Sequence, residues 1–125
     1  MITERRQIHR VPVELFLNEY VQERPGRALA TNLSNTGMYV NRVLQPHARR
    51  AGLVQLEFEL PGTREVIWAA GEARYEVLDD MFHGTGVRFV AMARAHERLV
   101  RDFVATQRAR RLRATLDRIR KNRCG

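Results

Sequence analysis

Two short groups of residues carry the chemistry that this 125-residue chain offers. The first is Arg6-Gln7-Ile8-His9-Arg10, which sets two guanidiniums four residues apart just ahead of an apolar alternation. The second is Asn32-Leu33-Ser34-Asn35-Thr36-Gly37, which gathers an amide, a hydroxyl and a glycine into six residues between apolar runs. A turn of that composition crowds short donors and backbone N–H groups together. Its glycine lets backbone approach a ligand with no Cβ in the way. Either group alone is ordinary: Asn/Ser/Gly clusters are usually turns, and arginines on a polar terminal segment usually face solvent. Their combination turns the reading toward binding. No catalytic constellation accompanies them. There is no serine in a Gly-x-Ser-x-Gly setting, no carboxylate pair in apolar surroundings and no cysteine with a placed histidine, so the sequence argues against an enzyme.

Strands must position both groups. Val11, Val13, Leu15 and Leu17 alternate at period two, which predicts a half-buried strand with Pro12 near its start, where a missing N–H is tolerated. Glu23-Arg24-Pro25-Gly26 reads as a turn. A second strand is predicted over Arg27–Leu33 and a third over Met38–Asn41, joined by the Asn32–Gly37 turn. Gln45–Gly52 reads as a loop. In Leu53–Leu60, Val54, Leu56, Phe58 and Leu60 face in, while Glu57 and Glu59 face water. Val66–Val77 is a long strand with a bend expected at Gly71, and His83–Val90 is the last. From about Met92 the period becomes helical: Leu99, Val100, Phe103 and Val104 form an apolar stripe, and no glycine or proline interrupts residues 91–122. Short strands with turns between them, then one helix, predict a mainly β chain: a six-stranded antiparallel barrel with a long C-terminal α-helix. The domain reading is one unit over residues 1–125, with a flexible arginine-bearing segment over 1–10, the barrel over 11–90 and a basic helix over 91–123.

Charge is distributed unevenly. The formal net charge is +8. Between Arg98 and Arg123 ten basic residues face only Asp102 and Asp117, so this segment carries the whole excess and residues 1–97 balance to zero. A broad field for polyanions therefore belongs to the tail and not to the body. The single cysteine, Cys124, has no partner in the chain, no apolar run approaches a membrane span, and Met1–Arg5 lacks a signal peptide's apolar core. A reducing cytoplasm is the expected location. His9, His47, His83 and His96 lack metal-ligand spacing and read as surface or loop residues, so no metal is expected. Gly84-Thr85-Gly86 reads as turn material, and Trp68 and Tyr75 as core or rim residues.

The order Arg6-x-x-x-Arg10, strand, Asn32-x-Ser34-x-x-Gly37, together with the closing strand Gly86-Val87-Arg88-Phe89, resembles the PilZ domain, a bacterial receptor module for cyclic di-GMP. The likeness covers roughly residues 4–105. It implies a non-enzymatic receptor whose ligand, cyclic di-GMP, offers two phosphodiesters and two guanines and which needs no cofactor. By this resemblance Arg6 and Arg10 would contact phosphate and the guanine edge that carries O6 and N7. A guanidinium fits that edge bidentately, for about 1–3 kcal/mol of base discrimination. Asn32 would bond a guanine or hold an arginine, Ser34 would reach a phosphate or base edge, and Gly37 would leave room. Many family members carry Asp where this chain has Asn32; an amide lacks the charge to pair strongly with arginine. Arg5 would stack on a base and favour a pair of intercalated ligands. Arg88, pointing outward, would border the site.

The tail poses a separate question. A helix over Ala93–Lys121 would run about 43 Å, whereas a body of about 90 residues measures roughly 30 Å across. Its second half should project and present Leu112, Leu116 and Ile119 as a narrow seam. That seam would serve a protein partner or self-association, or stay a solvated extension. Two alternatives to the receptor reading remain open. One is a PilZ-like adaptor without nucleotide binding. The other is a nucleic-acid binder through the Arg108–Arg113 and Arg118–Arg123 runs, disfavoured by the neutral body and the absence of interleaved aromatics.

Overall fold

The computed structural model describes residues 10–43, 52–78 and 82–124. Period-two alternation sends every second side chain of a strand to one face, and here that face closes on itself. Among the described residues six strands form: β1 (Val11–Val21), β2 (Arg24–Leu33), β3 (Gly37–Val43), β4 (Leu53–Glu59), β5 (Val66–Leu78) and β6 (Phe82–Met92). They pair antiparallel in the order β1-β2-β3-β6-β5-β4 and complete a barrel, which leaves no sheet edge. The expected bend at Gly71 is present as a shift in the β5–β6 register.

The first hairpin differs from the sequence reading. Its turn is Gln22-Glu23, both at positive φ (50° and 66°), with Val21 opposite Arg24. Two consecutive left-handed residues are what a two-residue hairpin requires for its twist to match the strands. Pro25 and Gly26, expected in the turn, lie instead in β2, opposite Tyr20 and Glu19. In such a hairpin the pair next to the turn-flanking one directs its amide positions away from the partner strand. Pro25 therefore forfeits nothing toward β1, and β3 pairs with β2 only from Leu29 onward.

The barrel's two ends are built from different chemistry. Where β6 finishes, α1 (Arg94–Cys124) folds back, and Val100 and Val104 join a core that includes Val11, Leu33, Leu56 and Ile67, with Leu99 and Phe103 packed against it. Each fully buried valine of that pair adds about 2 kcal/mol of transfer free energy. At the other end the inward positions turn polar. The buried Arg42 guanidinium donates from Nε to Glu19 Oε1 (2.9 Å), from Nη2 to Glu19 Oε2 (2.7 Å) and from Nη1 to Thr85 Oγ1 (2.8 Å). His83 is buried beside them, with Nε2 3.2 Å from Glu76 Oε1. It was expected at the surface. Its place on β6 follows the same inward alternation as Thr85 and Val87.

Candidate functional site

The second hairpin is a closed hydrogen-bonded unit. Ser34 is 1% exposed, and its Oγ accepts from the amides of Gly37 (3.1 Å) and Thr36 (3.2 Å). The Ser34 amide in turn donates to the Gly37 carbonyl at 2.8 Å. Short hydroxyl side chains favour turns for this reason: they mimic a backbone acceptor. The Phe89 amide donates to the Thr36 carbonyl at 2.7 Å, which pins the turn to β6.

Gly37 is demanded by that contact. A Cβ there would stand 2.1 Å from the Val87 carbonyl oxygen, so β3 and β6 could not approach with any larger residue. The expected reason was room for a ligand. The space is in fact occupied by the neighbouring strand.

Asn32 lies at an irregularity in the β2–β3 register and fills it: its Oδ1 accepts from the Tyr39 amide at 3.1 Å. Asn32 is partly exposed, and its Nδ2 donors take no part in that contact. Arg10, exposed, directly precedes Val11, and Val11 pairs with Leu33. The β1–β2 ladder thus ends at a pair flanked by Arg10 on one strand and Ser34 on the other. Arg5 and Arg6 lie outside the described residues.

Arg88 sits opposite Gly37 on β6 and points outward, as its alternation predicts. Its Nη2 stands 3.5 Å from Glu72 Oε1, which also accepts from Arg74 Nη1 at 2.9 Å. The Arg74 hydrogen bond, joined by the Arg88 charge, holds the Glu72 carboxyl below its ordinary pKa against the raising effect of partial burial.

Beyond Arg88 the outer wall is aromatic. Tyr39 and Tyr75 stack with ring centroids 6.1 Å apart. They lie over Gly84 and Gly86, where a Cβ would meet Tyr39 Oη at 2.0 Å and the Tyr75 ring at 2.2 Å. The two glycines are thus strand residues beneath a pair of rings, and not the turn expected from their spacing. Trp68, 45% exposed, is a rim residue stacked on Tyr20. No cluster that could hold a metal ion occurs among the described residues.

Sequence reasoning missed two features of this wall and its interior. The signal for Glu19 and Arg42 existed: each continues the inward alternation of its strand two residues past a buried Leu17 or Val40. The tyrosine pair had no comparable signal, since Tyr39 and Tyr75 become neighbours only through the β3-β6-β5 order.

A family model described as the PilZ domain matches residues 4–106. The chain belongs to the PilZ family. No curated protein matches the sequence. Among solved structures, the PilZ fold recurs in the Bacillus subtilis inhibitor of motility MotI/DgrA, with a TM-score of 0.70 at 17% identity over 83% of this chain and 51% of that one. It recurs in the PilZ domain of Escherichia coli YcgR, solved with c-di-GMP, with a TM-score of 0.66 at 17% identity over 90% of this chain and 98% of that domain. The Borreliella burgdorferi PlzA protein in complex with c-di-GMP gives 0.55 at 15% identity over 82% of this chain and 43% of that one. This chain thus spans about half the length of MotI/DgrA and nearly all of the isolated YcgR domain.

Proposed function

We propose that this PilZ chain is a non-enzymatic cytoplasmic receptor for cyclic di-GMP that passes the binding event to a protein partner. One observation supports the reading: the β1–β2 ladder ends at Val11–Leu33, so Arg10 and the Asn32–Gly37 hairpin adjoin the same end of two paired strands. The c-di-GMP complexes of YcgR and PlzA, which share the fold, support the choice of ligand.

In this scheme Arg6 and Arg10 close over the nucleotide. One guanidinium reads O6 and N7 of a guanine, and the charge of both offsets the phosphodiesters. Asn32 donates from Nδ2 to a base or phosphate oxygen. Ser34 and Gly37 act by shape, the hydroxyl holding the turn and the glycine seating it on β6. Arg88 closes the far rim, and Arg5 stacks on a base, which favours two intercalated ligands over one.

Calorimetric titration of cyclic di-GMP into the wild-type chain and Arg10→Ala tests this. Expected is binding at micromolar affinity or tighter, about −8 kcal/mol or better, and at least a tenfold loss in the variant. Arg10 is exposed, so its removal leaves the fold intact. Equal heats for both proteins, or no heat from the wild type, refute the receptor reading. The stoichiometry decides the role of Arg5.

A further inference from the structure

The helix α1 carries two apolar stripes that face different ways. Val100 and Val104 are buried against the barrel, with Leu99 and Phe103 beside them. From Ala105 to Arg123 no residue of α1 is buried; Leu112, Leu116 and Ile119 are 61%, 46% and 48% exposed. By the 3.6-residue repeat, the second stripe is centred roughly 110° around the axis from Val100 and Val104. Bending the tail back would therefore turn arginines, and not leucines, toward the chain's own barrel. Among the described residues nothing covers that seam.

Its spacing narrows the choice. Ala105, Ala109, Leu112, Leu116 and Ile119 follow one another at steps of four, three, four and three, the seam of a two-stranded coiled coil. The positions that flank such a seam and select its partner are Thr106, Arg108, Arg113, Thr115 and Arg120. None is acidic. Two copies joined in parallel would set Arg108 against Arg113 of the other helix, and an antiparallel pair would set arginines against arginines as well. Like charges at those positions destabilise a pairing. Between residues 105 and 124 eight basic residues face the single acid Asp117, a net charge of +7. A nucleic acid would answer that charge but leave the leucines exposed.

We infer that the seam docks an acidic amphipathic helix of another protein, with apolar residues at its seam positions and carboxylates at the flanking ones. This deepens the partner half of the proposed function and rests on it. The leucines supply the buried contact, and Arg108, Arg113 and Arg120 select the charge of the partner and steer its approach.

The test uses the full chain and a three-heptad synthetic peptide with leucine at every seam position and glutamate at every flanking one. Controls are the same peptide with serine at the seam, one with lysine at the flanks, and a short DNA duplex. Fluorescence anisotropy should show the leucine–glutamate peptide bound, at least tenfold weaker binding to Leu116→Asn, and a shift of preference toward the lysine-flanked peptide in Arg113→Glu/Arg120→Glu. These sites are exposed, and an unchanged melting curve verifies the fold of each variant. No binding by the wild type overturns the inference. So does equal binding of the serine-seam peptide, or DNA binding that Leu116→Asn leaves unaltered, since either marks a general polyanion surface. A wild-type dimer in light scattering that Leu116→Asn dissociates would assign the seam to a second copy instead. Cyclic di-GMP titrated into the same preparations reports separately on the nucleotide site, so failure of one reading is not mistaken for failure of the other.

Discussion

Removing the Ser34 hydroxyl takes the side-chain acceptor from two backbone amides, Thr36 and Gly37, in a turn whose serine is almost wholly buried. Ser34→Ala is therefore expected to lower stability by about 1–3 kcal/mol in urea denaturation and to weaken nucleotide binding through a loosened hairpin. Gly37→Ala should cost about 2 kcal/mol or more, because its methyl meets a backbone carbonyl that cannot rotate aside. Arg10→Ala works in the opposite sense, with ligand affinity lost and stability kept. Glu72 adds a pH signature. Its lowered pKa contributes stability that is fully present above the unfolded carboxylate value of ~4.3 and is lost as pH falls through the folded value. Glu72→Gln should flatten that part of the acid unfolding curve, and an unchanged acid limb would show that the Arg74 and Arg88 contacts contribute nothing.

Strand positions were legible in the sequence because the alternation is clean: the inward set Val54, Leu56, Phe58 and Leu60 is the buried set. The first turn was not. Gln22 and Glu23 have no turn chemistry, and the Pro25-Gly26 pair two residues on reads as a stronger signal. The left-handed backbone there is imposed by the strands. Gln22→Asn with Glu23→Gly should consequently raise stability by about 1 kcal/mol, seen as a higher melting temperature. The hairpin of the site was visible from Asn32, Ser34 and Gly37, but the contacts of Gly37 were not, since Val87 lies fifty residues away in the chain and reaches it only through the β3–β6 pairing. The buried Glu19–Arg42 pair was hidden for a related reason. A charge at an inward position reads as the end of a strand until its partner is found. Arg42→Ala should cost about 3–5 kcal/mol by stripping Glu19 of its guanidinium, whereas joint replacement of both by apolar residues of similar volume should cost much less.

At the scale of the whole molecule the proposed scheme divides the work: the barrel wall for the nucleotide and the positively charged helix for a partner. The helix has 31 residues and is about 46 Å long, and no residue between Val104 and Asn122 is buried. Truncation after Thr106 should therefore leave the denaturation midpoint and nucleotide affinity nearly unchanged while removing the seam; a collapse of stability would show that the tail belongs to the fold. The central claim is that Arg10 and the Asn32–Gly37 hairpin meet on one ligand. Titration of cyclic di-GMP into the isotope-labelled full chain, followed through backbone amide NMR shifts, tests it directly. Arg10, Asn32, Ser34, Thr36, Gly37 and Tyr39 should shift together along a single saturation curve while residues 108–123 stay still. Shifts confined to the arginine-rich helix, or none at saturating nucleotide, would contradict it.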